Sequence, residues 1–324
     1  MTDIVVFGCK HTTKEFLKHL ITSHPHYSLL VVTIEVKTAF ANKVSGFCDL
    51  TDFLEEKGID YLKVNDYSLR NSEDLFEKKL FSPRCGFCIG WQRLIPENIL
   101  RRFPHGVFGM HGSNKPLPHG RGRSPLNWSL IVGRKIFYTH LFKYSPGVDD
   151  GDIVGVQTFE ITMHDTALTL HYKNLVSMIS LVNAHIQEIL NGTVRLISQD
   201  HSKVSFYPKR SSEDGLINWD LSAHDIYNLV RGVTRPFPGA FSFINNNKIT
   251  IWRAYPFDTI LSWDNKKVGQ VCMIFDNGDF IVQTGDITLI VVDYCLTDSK
   301  HVIQEGDILD NNGLSFKQWP NLPV

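Results

Sequence analysis

This chain of 324 residues is short of three things. It has no apolar run near the roughly 20 residues that a membrane-spanning helix needs. It has no excess of charge: 33 Lys and Arg balance 34 Asp and Glu, and the net charge is −1 with the histidines neutral. A protein that grips long nucleic acids usually carries a basic surplus, so that class is disfavoured. Cysteine is sparse too. Cys9, Cys48, Cys85, Cys88, Cys272 and Cys295 are too few and too dispersed for a disulfide scaffold. The opening "MTDIVVFG" carries Asp3 where a secretion leader would carry positive charge, so the expected compartment is the cytoplasm. No internal repeat and no low-complexity tract is present.

Periodicity accounts for what remains. "DIVVFG", "YSLLVVTIEV", "IDYLKV" and "CGFCIGW" (85–91) read as strands. They alternate with helical spacing at Thr12–Ser23, Leu50–Gly58 and Ser72–Phe81. The β-α-β-α order predicts an α/β domain with a doubly wound, mostly parallel sheet. "KIFYTHLFKY" and "GVDDGDIVGVQTFEI" add strands, and Ala167–Leu190 reads as a long amphipathic helix stopped by Asn191-Gly192. Polar, turn-rich residues 198–215 suggest a linker. A serine-capped helix (Ser222–Val233) follows, and then short strands separated by turn residues suggest a small barrel. The expected organisation is a domain at 1–197, a linker at 198–215 and a second domain at 216–324.

Four features could carry chemistry. Cys85 and Cys88 sit three apart on an expected strand, so they face opposite ways and can neither bridge nor share a metal. Gly8-Cys9-Lys10-His11 lacks the glycine spacing of a dinucleotide turn, although Glu35 ends the second strand as such a fold would want. Lys10 near a helix N-terminus could still meet a phosphate. The polar stretch "MHGSNKPLPHGRGRSPLNW" (110–128) reads as a functional loop that runs into a helix with a buried face. "SPGVDDGDI" packs Asp149, Asp150 and Asp152 into one turn. An imidazole next to a carboxylate is a standard proton-handling pair, and loops at the carboxyl ends of parallel strands are where such pairs sit. The bland alternatives are a surface histidine and a solvated aspartate turn.

"HGSNKPLPHGRGRSPLNW" resembles the signature loop of the folate-dependent formyltransferases, and "GVDDGDI" resembles their aspartate motif. "YPKRSSEDGLINWDLSAHDIYNLVRGVTRPFPGAF" looks like the start of the C-terminal domain in methionyl-tRNA formyltransferase and its sugar-modifying relatives. The resemblance spans most of the chain. It implies a Rossmann-like domain followed by an OB-like barrel, and transfer of a formyl group from 10-formyltetrahydrofolate to a primary amine, with no metal. Carried over by position, His111 and Asp149 are the catalytic pair. Gly90, Trp91, Gln92, Leu94, Ile95, Val148 and Asp150 would hold the pterin, and Lys10, Ser113, Arg121 and Arg123 the substrate. The family also expects an asparagine two residues before the histidine, and Gly109 stands there. Two extra residues separate Ser113 from Leu117-Pro118. Asn114, within that enlarged loop, is the candidate to bring an amide back. An unreplaced donor would weaken catalysis about 100-fold, and its loss could leave a non-catalytic binding homologue.

The amine must be read elsewhere. The tRNA enzyme would carry a basic, glycine-rich insertion after the second strand. This chain has "VKTAFANKVSGFCDLTDFLEEKG", with Lys37 and Lys43 but no basic cluster. Together with the near-zero charge, this favours an enzyme that acts on a nucleotide-linked amino sugar, as in lipopolysaccharide O-antigen biosynthesis. The tRNA enzyme is the runner-up. No nucleic-acid or membrane partner is expected, and a homodimer is among the assemblies the sequence permits.

Overall fold

The computed structural model describes residues 2–72, 83–319 and 322. The helix expected at Ser72–Phe81 lies outside the described residues apart from Ser72 itself. Contacts divide the chain into two compact units. The first holds Met1–Arg121, Tyr138–Thr158 and Asn174–Ser205; the second holds Gly122–Phe137, Phe159–Lys173 and Phe206–Val324.

Four parallel connections build the first sheet. β1 (Ile4–Phe7) pairs with β2 (Leu29–Ile34) and with β4 (Cys85–Cys88); β2 pairs with β3 (Asp60–Val64), and β4 with β5 (Val107–Ser113). β6 (Arg121–Gly122) lies outside this sheet; β7 (Ile136–Lys143) then runs antiparallel to β5, and β8 (Ile153–Glu160) closes the order β3-β2-β1-β4-β5-β7-β8. β1 and β4 are buried along their whole length, as strands covered on both faces should be. One face packs Val6, Phe87 and Phe108 against Met178, Val182 and Ile186 of the long helix Ala167–Asn191. The other packs Phe7, Cys88, Trp91 and Val107. Cys85 and Cys88 fall into these two different clusters, so they do face opposite ways. All six cysteines are free. This is the Rossmann-like, mostly parallel sheet that the alternation predicts.

Three local readings change. Met110–Ser113 is not loop but the end of β5, because its backbone pairs with Tyr138–Leu141 on β7. The strand expected at 85–91 stops at Cys88, where Gly90 adopts a positive φ of 77° and turns the chain. A side chain at Gly90 would also run into the Thr13 hydroxyl, 2.6 Å from where a Cβ would sit. The strand expected to run to Val36 ends at Ile34, and Val36–Ala41 forms a short helix.

The second unit holds the helix Ala223–Val233, capped by the Ser222 hydroxyl, which accepts from the Asp225 N–H at 3.1 Å. Its apolar face packs into a core with Ile249, Ile251, Phe280 and Leu289. The sheet over that core is antiparallel, with strands Val271–Ile274, Phe280–Gln283, Thr288–Leu296, Asn247–Pro256, Ala240–Ile244 and Leu309–Asp310 in spatial order. Val271 N–H donates to Asp307 O and Leu309 N–H to Gly269 O, both at 2.8 Å, so the two edges meet and the sheet curls on itself. This is the OB-like barrel architecture.

Candidate active site

β5 carries the site. Strand geometry puts Val107, Gly109, His111 and Ser113 on one face. The aspartate turn, Gly147–Asp152, follows β7 and returns toward that face. His111 Nδ1 lies 3.3 Å from Asp149 Oδ2, and His111 Nε2 is 2.7 Å from the Gly120 carbonyl. Both ring nitrogens therefore face oxygen acceptors, and the imidazole is 7% exposed. The structure thus brings the two expected catalytic residues together. Asp149 itself has a φ of 50°, in the left-handed region that Asp tolerates better than most residues.

The turn is held from three sides. The Ser145 hydroxyl donates to the Asp150 carboxylate. Lys143 N–H donates to Asp152 O at 2.8 Å. Gln199 does the most: its amide donates to Asp149 O at 2.9 Å and to Gly151 O at 2.7 Å. The Gln199 side-chain oxygen accepts from Arg121 Nη2 at 2.7 Å and Nε at 3.2 Å. Arg121 is 4% exposed, so its guanidinium is committed to this clamp. Burial pulls its pKa down, and the charges of Asp150 and Asp149 oppose that fall.

A second histidine lies directly opposite His111 on β7. His140 is fully buried, and Leu117 N–H donates to its Nε2 at 3.1 Å. That leaves the proton on Nδ1, which donates to the His111 carbonyl at 3.2 Å. Burial drives its pKa down to about 4. The bond to the His111 carbonyl works the other way, and the nearby His111 charge adds to the fall. His140 is therefore a neutral strut between the 115–120 segment and the backbone of His111.

Of the seven expected pterin residues, two border a cavity. Leu94 and Ile95 border a cavity of about 320 Å³ with Ser68, Arg70, Arg93 and Pro146, the last of these from the segment that leads into the aspartate turn. Leu94 and Val148 are exposed at 52% and 43%. Trp91 is buried edge-on to Tyr67 and Phe7, and its indole N–H has no acceptor among the described residues. Gln92 N–H donates to the Tyr67 hydroxyl at 2.9 Å, and Arg93 stacks 5.0 Å over that ring. Lys10 is half-buried, with its Cβ 3.2 Å from where a Gly90 Cβ would sit. Ser113 and Asn114 are buried at the end of β5. Arg123 is exposed and belongs to the second unit. Sequence reasoning missed Gln199, His140, Tyr67 and Tyr144. Among the described residues no cluster of His, Cys, Asp or Glu is placed to hold a metal.

A Rossmann-like sheet whose strand ends carry a histidine–aspartate pair, followed by a curled antiparallel barrel, defines a two-part group-transfer architecture. The chain belongs to the formyl transferase family: residues 2–177 match "Formyl transferase" and residues 209–305 match "Formyl transferase, C-terminal domain". Solved structures of similar fold include an N-formyltransferase from Helicobacter canadensis in complex with folinic acid and dTDP-3-aminofucose. It is 19% identical, with a TM-score of 0.63 over 91% of this chain and 100% of that one. WlaRD, a sugar 3N-formyl transferase solved with dTDP and 5-N-formyl-THF, is 19% identical, with a TM-score of 0.62 over 90% and 97%. HypX from Aquifex aeolicus, in complex with tetrahydrofolic acid, is 17% identical, with a TM-score of 0.61 over 90% of this chain and 44% of that one.

Proposed function

We propose that this protein transfers a formyl group from 10-formyltetrahydrofolate to the primary amine of a nucleotide-linked amino sugar. The observation that carries the reading is the His111–Asp149 pair at the end of β5. The cavity bordered by Leu94 and Ile95 supports it, and so does the buried Trp91 N–H, which finds no acceptor among the described residues. A flat heteroaromatic ring with amide-like edges suits such a setting.

When bound, the folate supplies an activated formyl carbon and a nitrogen leaving group. The chain's residues do the rest. Asp149 orients the imidazole and supports its positive charge. His111 handles the proton that the attacking amine loses and the leaving nitrogen gains. One C–N bond forms and one breaks, and negative charge rises on the formyl oxygen between the two events. Hydrogen-bond donors aimed at that oxygen lower the barrier. We assign the catalysis to residues 1–197 with the Gln199 splint that follows them, the rest of 198–215 to the connector and 216–324 to an auxiliary domain, and Lys10, Ser113 and Arg123 to the substrate.

The amine is read from what the chain lacks. The segment after β2 forms a short helix whose Lys37 pairs with Glu35 at 2.9 Å, so its charge is neutralised locally. No basic platform for tRNA phosphates arises there. A cytoplasmic place, ahead of O-antigen assembly, follows from the substrate class. The test is incubation with 10-formyltetrahydrofolate and a panel of nucleotide-linked amino sugars beside charged initiator tRNA, read by mass. A formylated sugar nucleotide supports the proposal. Formylated aminoacyl-tRNA overturns the substrate, and folate binding with no transfer to any amine overturns the activity.

A further inference from the structure

Gly109 is two residues before His111 and on the same face of β5. A Cβ built on Gly109 would fall inside the ring of Tyr144, with the Tyr144 hydroxyl oxygen 2.5 Å away. The glycine is therefore there to admit this ring. Tyr144 follows β7, and its N–H donates to Val107 O at 2.7 Å. From there the side chain leans diagonally across to Gly109, a reach that long aromatic side chains make between antiparallel neighbours. Phe142, which pairs with Gly109, stacks on the ring at 5.1 Å and fixes its tilt.

The hydroxyl's surroundings are chemically specific. It shares a hydrogen bond with the Cys88 thiol, and Cys88 is the residue paired with Gly109 on β4. Burial and the Asp149 charge hold both the phenol and the thiol protonated. A thiol is a weak hydrogen-bond partner, as donor and as acceptor. It holds the hydroxyl in place and yields it readily to a stronger one. One residue pair along β5, roughly 7 Å away, stands His111. Asn114 is less well placed to share the task. β5 ends at Ser113, and no strand geometry carries Asn114 back to the Gly109 face.

We infer that the Tyr144 hydroxyl is a catalytic hydrogen-bond donor of this site, delivered across the strand pair into the space that Gly109 leaves open and aimed at the formyl oxygen as negative charge develops there. The inference rests on the formyl-transfer reading above. The phenol keeps its proton throughout: it exchanges Cys88 for the oxygen and returns. No bond to Tyr144 forms or breaks.

Tyr144→Phe removes the hydroxyl and keeps the ring. The expected result is a 30- to 100-fold fall in kcat, with the KM for the amine and the melting temperature nearly unchanged. Gly109→Asn combined with Tyr144→Ala replaces the phenol by a carboxamide from the facing strand, and should recover at least tenfold over Tyr144→Ala alone. Tyr144→Phe within twofold of the parent while His111→Ala abolishes turnover overturns the inference and leaves the reading standing. So does a silent Tyr144→Phe beside a costly Asn114→Ala, which returns the donor to Asn114. An effect on KM alone makes Tyr144 a binding group and also overturns it. No transfer by the parent protein to any amine overturns reading and inference together.

Discussion

Replacing His140 by glutamine should remove part of the protein's sensitivity to acid. An unfolded imidazole titrates near 6.5, whereas buried His140 takes a proton only near pH 4. Between these values the unfolded chain holds a proton that the folded chain refuses. Stability therefore rises with pH through this window; it is complete above about pH 6.5 and is lost as pH falls toward 4. The full interval corresponds to about 3 kcal/mol, a large fraction of the stability of a typical domain. Glutamine keeps an acceptor for Leu117 N–H and a donor for the His111 carbonyl but does not titrate. The assay is chemical denaturation of both proteins at half-unit steps from pH 7.5 to 4. The difference between parent and variant should change by about 3 kcal/mol in favour of the variant as pH falls. Carboxylate titrations common to both cancel in the difference. A difference that stays flat across the window would refute the neutral-strut account of His140.

His111→Ala should lower turnover at least ~100-fold with little change in melting temperature, and Asp149→Asn should do the same by mis-setting the imidazole, both read by steady-state kinetics. Gln199→Ala leaves the Asp149 and Gly151 carbonyls without their donor, and should cost about 1–3 kcal/mol in stability along with a roughly tenfold loss of kcat. Thiol labelling of the native protein should modify exposed Cys295 readily and spare Cys85 and Cys88, whose burial raises their pKa to about 12, until denaturant is added. A folate analogue should quench tryptophan fluorescence through Trp91, and Trp91→Phe should reduce that signal. An unchanged signal would move the pterin away from the cavity at Leu94 and Ile95.

Much of the frame was legible in the chain itself. Alternating strand and helix patterns gave the parallel sheet, because its central strands are apolar on both faces and leave an unmistakable run. The histidine and aspartate motifs were legible through their resemblance to the formyltransferase signatures, whereas their spacing alone left a surface histidine and a solvated aspartate turn as alternatives. The supporting residues were not. Gln199 lies 50 positions from Asp149, in a polar stretch that reads as a connector, and only the folded backbone brings its amide to the turn. His140 sits in a strand whose neighbours are apolar, where a single imidazole gives no periodic signal. Gly109 reads as a lost asparagine until Tyr144 is seen filling its space, which is cross-strand information that no local pattern carries. The end of β5 looked like loop because glycine, serine and histidine are poor strand formers, yet pairing with β7 overrode their propensity.

The clamp made by Gln199 bears on how this protein can be taken apart. A cut placed after the long helix, at residue 197, would look harmless: it keeps every strand of the first sheet and both members of the proton-handling pair. It would nonetheless discard the amide that splints the aspartate turn and the partner of Arg121. Chimaeras that exchange the barrel between relatives face the same constraint. The splint must travel with the sheet, so the seam belongs beyond Ser205, whose hydroxyl accepts from Gly120 N–H and whose carbonyl accepts from Arg121 N–H. A crossover a few residues earlier would leave the aspartate turn without its splint, and one beyond Ser205 must still match Gly122–Phe137 and Phe159–Lys173, which belong to the same compact unit as the barrel.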